Sequence, residues 1–172
     1  MTRAKEGDKS AFAELVREHQ SLVYSIAFHF LHATALAEEI AQDIFLDLYR
    51  NIGKIDSAAH LVSWLRRSTT NRCIDQSRKL AYRTEVPVHE TFDPAAPVSG
   101  TDVLMNQSLK AEIAALPEWQ KAVVILRYQE DLDPGEIADL LKMPVNTVKS
   151  RLHRALASLR EGLERKQRVL QV

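Results

Sequence analysis

Hydrophobic residues recur at helical spacing through the first 82 residues of the chain. A first predicted helix follows a candidate N-cap, Asp8 or Ser10, and the pattern predicts two further helices at about residues 35–52 and 61–82. A polar loop at residues 53–60 separates these two. The repeating positions of the first helix are Phe12, Leu15, Val16, His19, Leu22, Val23, Ile26 and Phe30.

The helical pattern stops at residues 85–100, where three prolines, a glycine and several acids follow one another without periodicity. Such a composition is typical of a linker. Helical spacing then resumes and continues almost to the end of the chain. The sequence therefore predicts an all-α protein of two small helical domains, residues 1–82 and 105–172, joined by a flexible acidic linker over residues 83–104.

The strongest local signal is a helix-turn-helix in the second domain. Asp133 is a good N-cap, Pro134 suits the first helical position, and Glu136 stands where it completes a capping box. Residues 142–144 interrupt this short helix, and a second helix is predicted to begin at or near Pro144.

This second helix has two unlike faces. Its apolar stripe is expected to face the core and consists of Val148, Leu152, Ala155, Leu156, Leu159 and Leu163. The opposite face collects small hydrogen-bonding groups and cations, namely Asn146, Ser150, His153, Arg154 and Ala157, flanked by Thr147, Lys149 and Arg151. A recognition helix in the major groove needs that mixture of base readers and phosphate-binding cations. The solvated face of an ordinary amphipathic helix is the alternative.

The distribution of charge favours nucleic-acid binding, although 23 basic and 23 acidic residues give a formal net charge of zero. Residues 66–83 carry six basic residues against one acid, and residues 142–168 carry eight against two. Acids concentrate in other stretches. Two basic segments separated by acidic ones indicate two contacts with nucleic acid.

The second predicted helix presents one leucine on its polar face. Leu46 stands among acids and an amide, opposite the residues expected to be buried, and its neighbours on this face are Glu38, Glu39, Gln42 and Asp43. An apolar centre with a polar rim is typical of a protein-docking site. A single exposed leucine also occurs without any function, so both interpretations stand.

The third predicted helix brings a tryptophan beside cations and an amide. One of its sides is predicted to carry Trp64, Arg67, Asn71, Ile74, Asp75 and Arg78. Aromatic and cationic side chains together suit unstacked bases and phosphates. Residue type alone favours a core position for Trp64.

Enzymatic chemistry has no recognisable motif in this chain. The sequence has no phosphate-binding glycine loop, no paired-histidine metal motif and no nucleophile elbow. The single cysteine, Cys73, is expected to be an inert buried thiol. No apolar run approaches the roughly 20 residues that span a bilayer, and the N-terminus lacks the apolar core of a secretory signal. We therefore expect a cytoplasmic protein that is not an enzyme and needs no cofactor or metal.

Residues 116–128 and 145–155 closely resemble the C-terminal domain of the extracytoplasmic-function subfamily of RNA polymerase sigma factors, within the sigma-70 family. The resemblance implies that this domain reads the −35 promoter element. The helical face predicts DNA contacts by Asn146 and Thr147, and the resemblance adds Lys149, Ser150, Arg151, His153 and Arg154. Lys142 stands where the family often has glycine in the turn.

The N-terminal domain resembles the same family. Residues 38–45 are similar to the helix that grips the clamp coiled coil of the largest polymerase subunit, which implies polymerase binding by Glu38, Glu39, Gln42, Asp43 and Leu46. Residues 63–65 and 71–78 resemble the segment that binds and melts the −10 element, which implies DNA contacts by Trp64, Arg67, Asn71 and Arg78. Residues 53–60 occupy the position of the loop that captures a flipped base, which adds Asp56 and His60.

The resemblance spans the whole chain and implies a sigma factor that directs core RNA polymerase to promoters and assists melting. It also implies an anti-sigma factor as a partner, since family members are usually held inactive by one. A stand-alone helix-turn-helix regulator is the alternative. It would explain the C-terminal domain but would leave the Leu46 face and the first basic segment without a role.

Overall fold

The computed structural model describes the backbone of residues 1–83 and 100–170, and the side chains of residues 1–81 and 107–168. Within these ranges it contains eight α-helices, one short 3₁₀ turn and no strand. The prediction of an all-α protein is therefore confirmed.

The chain divides into two compact units, residues 1–85 and 86–172. Most of the predicted linker, residues 84–99, lies outside the described residues. From Gly100 onward the remaining part of that segment belongs to the first helix of the second unit.

The N-terminal unit is formed by α1 (Thr2–Lys5), α2 (Lys9–Leu31), α3 (Thr34–Asn51), a 3₁₀ turn (Ile52–Lys54) and α4 (Ala58–Arg83). Helices α2, α3 and α4 pack against one another. Apolar residues three and four apart supply the packed faces, as the sequence pattern predicts. The core of this unit includes Val23, Ile26, Phe30, Ile44, Leu48, Leu61 and Leu65.

Asp8, one of the two predicted caps, begins α2. Its carboxylate accepts hydrogen bonds from the backbone N–H groups of Ser10 (2.9 Å) and Ala11 (3.1 Å), and the Arg3 guanidinium donates to its other oxygen at 2.6 Å. The hydrogen bond from Ala11 and the bond from Arg3 lower the pKa of Asp8, because both favour the ionised carboxylate. The cap thus depends on a charged side chain.

Helix α4 begins at Ala58, three residues earlier than the sequence pattern predicts. The reason is a local cap: the Ser57 hydroxyl accepts the backbone N–H of His60 at 3.0 Å. His60, which was predicted in a loop, therefore lies in the first turn of a helix.

The C-terminal unit consists of α5 (Gly100–Ala114), α6 (Glu118–Tyr128), α7 (Pro134–Leu141) and α8 (Val145–Leu170). Its core joins residues from α6, α7 and α8 with the loop residues between them. The buried cluster comprises Leu116, Val123, Val124, Leu126, Leu132, Ile137, Ala138, Leu140, Val148, Leu152, Ala155 and Leu159.

The predicted helix start at Asp133 is present with its full capping box. The Asp133 carboxylate accepts from the N–H of Glu136 at 2.9 Å, and the Glu136 side chain accepts the N–H of Asp133 at 2.7 Å. Helix α7 ends at Leu141, and the residue that caps its C-terminus, Lys142, has a left-handed backbone with φ of 54°. This conformation ordinarily favours glycine, so the turn forms at a small cost.

Helix α8 continues well beyond the helix-turn-helix, and α5 packs against it. At Gly162 the Glu112 side chain of α5 lies so close that a Cβ would overlap its carboxylate. Glu112 then reaches Lys166, whose Nζ lies 2.9 Å from its Oε1 atom. The missing side chain at position 162 allows this close approach.

Candidate DNA-binding and protein-docking surfaces

The polar face of α8 is open to solvent. Five of the seven residues predicted to read the −35 element are exposed: Asn146, Lys149, Ser150, His153 and Arg154. The Ser150 hydroxyl donates to the backbone carbonyl of Asn146 at 2.8 Å, which leaves its oxygen free to accept. The other two, Thr147 and Arg151, are half-buried. The helix therefore presents both hydrogen-bonding groups and cations on one face.

Arg151 is held by two other parts of the helix-turn-helix unit. Its guanidinium carbon lies 5.0 Å from the ring centroid of Trp119 in α6, and its Nη1 donates to the Met143 sulfur at 3.4 Å. Sequence reasoning missed these contacts, because Trp119 is far from Arg151 along the chain, Met143 lies in the turn outside α8, and no periodic pattern joins the three residues.

Leu156 departs from the prediction that it faces the core. Its side chain is 41% exposed, whereas Val148, Leu152, Ala155 and Leu159 are buried. At 100° per residue Leu156 lies about 70° from the centre of that buried stripe. It thus stands at the margin of the packed face, and helical spacing alone does not predict whether a residue at this margin is buried.

The α3 face exposes its apolar centre as predicted. Leu46 is 55% exposed, with Glu38, Glu39 and Gln42 exposed around it and Asp43 half-buried. We call these five residues the α3 face.

Tyr49 extends the α3 face, and sequence reasoning missed it. The ring is 48% exposed and stands one helical turn from Leu46, on the same side of α3. It packs edge-on against Phe12 of α2, with ring centroids 5.1 Å apart. The i, i+3 spacing was the available signal, since it places Tyr49 beside the leucine.

Two carboxylates of α3 hold an arginine of α4. The Nη2 atom of Arg72 lies 2.7 Å from Oδ2 of Asp47, and its Nη1 atom lies 3.8 Å from Oδ2 of Asp43. Arg50 also approaches Asp47, at 3.4 Å. One member of the α3 face, Asp43, is thus braced from α4.

A groove between α2 and α3 borders the α3 face. Glu38 and Gln42 line it together with Val16, Gln20, Ser21, Tyr24, Ala41 and Phe45. Its walls come from two helices, so the pattern within a single helix could not predict it. The groove places apolar surface beside two polar residues of the face.

The exposed side of α4 carries most of the residues predicted to contact the −10 element. Arg67, Asn71 and Arg78 are exposed. Trp64 is half-buried, so its ring is neither fully in the core nor fully on the surface. Ile74 was predicted on this polar side, but it is only 2% exposed and belongs to the core. The stripe is therefore narrower than the sequence indicated.

Asp56 and His60 lie together just before and within the first turn of α4. The backbone N–H of Asp56 donates to His60 Nδ1 at 3.2 Å, and the Asp56 carboxylate lies 3.6 Å from the same nitrogen. Both side chains are exposed. The arrangement offers hydrogen-bonding groups at the end of α4 that precedes Trp64.

Within the described residues, no group of three or more histidine, cysteine, aspartate or glutamate side chains could hold a metal ion. The described helices also include none that is both long and apolar enough to cross a membrane.

Both units of the chain match the regions of RNA polymerase sigma factors. Residues 15–83 match the model of sigma-70 region 2, and residues 106–159 match that of sigma-70 region 4. The ECF RNA polymerase sigma factor SigW of Bacillus subtilis is 31% identical over 94% of this chain and 93% of its own length. SigK of Mycobacterium tuberculosis, also an ECF sigma factor, is 29% identical over 95% and 91%.

Two solved structures share the fold. One is the sigma factor RpoE of Bartonella quintana in complex with the anti-sigma factor NepR, with a TM-score of 0.73, 20% identity and coverage of 90% of this chain and 97% of that one. The other is CnrH in complex with the cytosolic domain of CnrY, with a TM-score of 0.67, 22% identity and coverage of 95% and 94%.

Proposed function

The chain belongs to the extracytoplasmic-function RNA polymerase sigma factors of the sigma-70 family, and from that premise we propose how its two units divide promoter recognition. It is a promoter-specific transcription initiation factor and not a stand-alone regulator, since the match to sigma factors covers both units. The proposal assigns residues 1–82 to core polymerase and the −10 element, and residues 105–172 to the −35 element. Residues 83–104 connect them.

The observation that carries this division is the separation of surfaces. An exposed leucine with a polar rim lies on α3, whereas exposed cations lie on α4 and α8. Burying apolar surface against another protein lowers the free energy of the complex. Cations that neutralise phosphates lower the free energy of a complex with DNA. The two kinds of surface therefore suit two kinds of partner.

Core polymerase binds the α3 face in this proposal. Leu46 supplies the apolar centre, and Glu38, Glu39, Gln42 and Asp43 surround it. An exposed leucine with polar neighbours is the arrangement of an interface core and rim. The acidic rim favours a basic surface on the partner, and we assign that partner to the clamp of the largest polymerase subunit.

The −10 element binds α4 and the residues before it. Arg67, Asn71 and Arg78 contact DNA from the exposed side of the helix, and Trp64 with its half-buried ring offers a surface for stacking. Asp56 and His60 act on a flipped base. Extruding that base costs a few kcal/mol, which stacking and edge contacts must return.

The −35 element binds the exposed face of α8. Asn146, Thr147, Ser150 and His153 offer hydrogen bonds to base edges, and Lys149, Arg151 and Arg154 supply positive charge for phosphates and guanines. Capping by Asp133 and packing of α7 against α8 hold this face in place.

We further infer an anti-sigma partner, because one solved structure of the same fold contains an anti-sigma factor. Sigma factors act as DNA-binding initiation factors, and we infer that this chain likewise catalyses no reaction and needs no cofactor. Its partners are core polymerase and promoter DNA, so we expect it to act in the cytoplasm.

Transcription in vitro from fragmented bacterial genomic DNA tests the proposal. Core polymerase free of sigma factor is assayed with and without this protein, and the RNA starts are mapped. New starts that share upstream elements at fixed spacing are expected. No new starts, together with tight sequence-specific binding of DNA by the protein alone, would overturn the proposal.

A further inference from the structure

Arg151 differs from Lys149 and Arg154, the other cations of α8 predicted to contact the −35 element, because other side chains of the unit hold it in place. Lys149 and Arg154 are exposed, whereas Arg151 is half-buried with its guanidinium over the Trp119 indole, 5.0 Å from the ring centroid. Its Nη1 atom also donates to the Met143 sulfur at 3.4 Å. The side chain has therefore lost much of its conformational freedom before any ligand binds.

Three separate elements meet at this guanidinium. Trp119 lies in the first turn of α6, directly after Glu118, and Met143 lies in the turn between α7 and α8. Arg151 itself belongs to α8. A displacement of α8 against the rest of the unit would break the contacts, so they fix the guanidinium relative to the whole helix-turn-helix.

The positive charge of Arg151 is not neutralised within the unit. Among the residues that the structure describes, no carboxylate lies within ion-pair distance of it. A methionine sulfur is only a weak acceptor, and the indole covers one face of the planar group. The remaining N–H groups of the guanidinium can still donate hydrogen bonds. Two parallel N–H groups of a guanidinium match two oxygens of a phosphate.

We propose that Trp119 is a positioning residue that holds Arg151 for contact with one backbone phosphate beside the −35 element. The inference rests on the proposed binding of that element by α8. Pre-ordering lowers the entropy lost on binding, because the side chain is already close to its bound conformation. Lys149, which has no such support, pays that loss when it binds.

The test is a scan of single phosphates with preassembled holoenzyme that contains the full chain. Each phosphate around the −35 element of a promoter found by the transcription experiment is replaced in turn by a neutral methylphosphonate, and holoenzyme binding is measured. In the wild type several replacements are expected to weaken binding, and the effect of one of them should disappear in Arg151→Ala. Trp119→Leu should reduce the effect of the same replacement and weaken binding to unmodified DNA by about two- to fivefold, the range of an exposed cation–π contact.

Two further variants separate positioning from folding. Trp119→Phe keeps an aromatic face and should retain most of the phosphate effect, and Trp119→Leu should cost nothing further in an Arg151→Ala background. Lys149→Ala is the matched control, since its loss of affinity should add fully to that of Trp119→Leu.

Additive losses from Trp119→Leu and Arg151→Ala, or equal losses at every phosphate position, would overturn the positioning role and leave Trp119 as part of the fold alone. Equal affinity of holoenzyme for DNA with intact and scrambled −35 sequences would instead contradict the proposed function. The two failures are thus distinguishable.

Discussion

Arg72 in α4 and Arg154 in α8 are basic residues on long helices, but their surroundings differ. Arg72 is held by Asp47 and Asp43 of the neighbouring helix, whereas no carboxylate of the described residues lies within ion-pair distance of Arg154. A cation paired within the protein must break that pair before it can neutralise a phosphate. A basic helix therefore does not by itself identify a DNA-binding surface, and the partners of each cation decide its role.

A similar difference separates the exposed face of α8 from part of α4. On the face of α8 that carries Lys149 and Arg154 the charge points to solvent, and Arg151 rests on an aromatic ring that leaves its charge uncompensated, although Lys166 further along α8 pairs with Glu112. In the N-terminal unit part of the positive charge of α4 braces the helix that carries Leu46. We therefore expect mutations on the α3 face to weaken polymerase binding, mutations on the exposed face of α8 to weaken DNA binding, and mutation of Arg72 to lower stability.

The largest effect is expected for Leu46→Ala. Removing the apolar centre of the α3 face should weaken binding to core polymerase by about 10- to 30-fold, since a buried anchor dominates such an interface. Titration of labelled protein with core polymerase measures it. Leu109→Ala is the control, because this leucine of the C-terminal unit is also exposed, at 38%. Equal losses in both variants would remove the special role of the α3 face.

Arg154→Ala should come next. Loss of a cation that contacts DNA should weaken binding of holoenzyme to the −35 element by about tenfold. The slope of log affinity against log salt concentration should become shallower by about one. The measurement is holoenzyme affinity at several salt concentrations, with intact and scrambled −35 sequences. Unchanged affinity for the intact element together with an unchanged salt dependence would show that Arg154 is only solvated.

A smaller effect is expected for Arg72→Ala, and it should appear in stability. Removing the arginine takes away the ion-pair partner of Asp43 and leaves Asp47 with Arg50 alone. The free energy of unfolding should therefore fall by about 1 kcal/mol, the upper range for a partly exposed pair. Chemical denaturation of the full chain measures it. Lys149→Ala serves as the control and should leave stability unchanged. If Arg72→Ala proves silent while Lys149→Ala destabilises, the contrast between paired and outward cations is wrong.

The smallest effect concerns pH and the cap of α2. Because the pKa of Asp8 is lowered in the folded state, its contribution to stability is full above the pKa of the unfolded chain and is lost as pH falls through the folded value. Thermal unfolding of wild type and Asp8→Asn should therefore differ less at pH 2 than at pH 7. A difference that grows on acidification would contradict the assigned cap.

Much of the fold follows from the sequence because its signals are local. Apolar spacing predicts the long helices, and Asp133 to Glu136 predicts a capping box that is present atom for atom. The exposed Leu46 was also predictable, since the opposite side of α3 is plainly apolar.

The rest depends on tertiary contacts. Ile74 and Leu156 stand near the borders of their stripes, where the neighbouring helices decide burial. His60 lies in a helix because of one hydroxyl, that of Ser57. The contact of Trp119 with Arg151 joins positions 32 residues apart, and no pattern in the sequence marks them as neighbours.

The central claim is that the N-terminal unit binds polymerase and the C-terminal unit selects the −35 element. The most direct test compares Leu46→Ala and Arg154→Ala in two separate steps: binding to core polymerase without DNA, and −35-dependent binding by holoenzyme assembled at saturating concentration. Leu46→Ala should fail only in the first step, and Arg154→Ala only in the second. Failure of both variants at the same step would contradict the division of function.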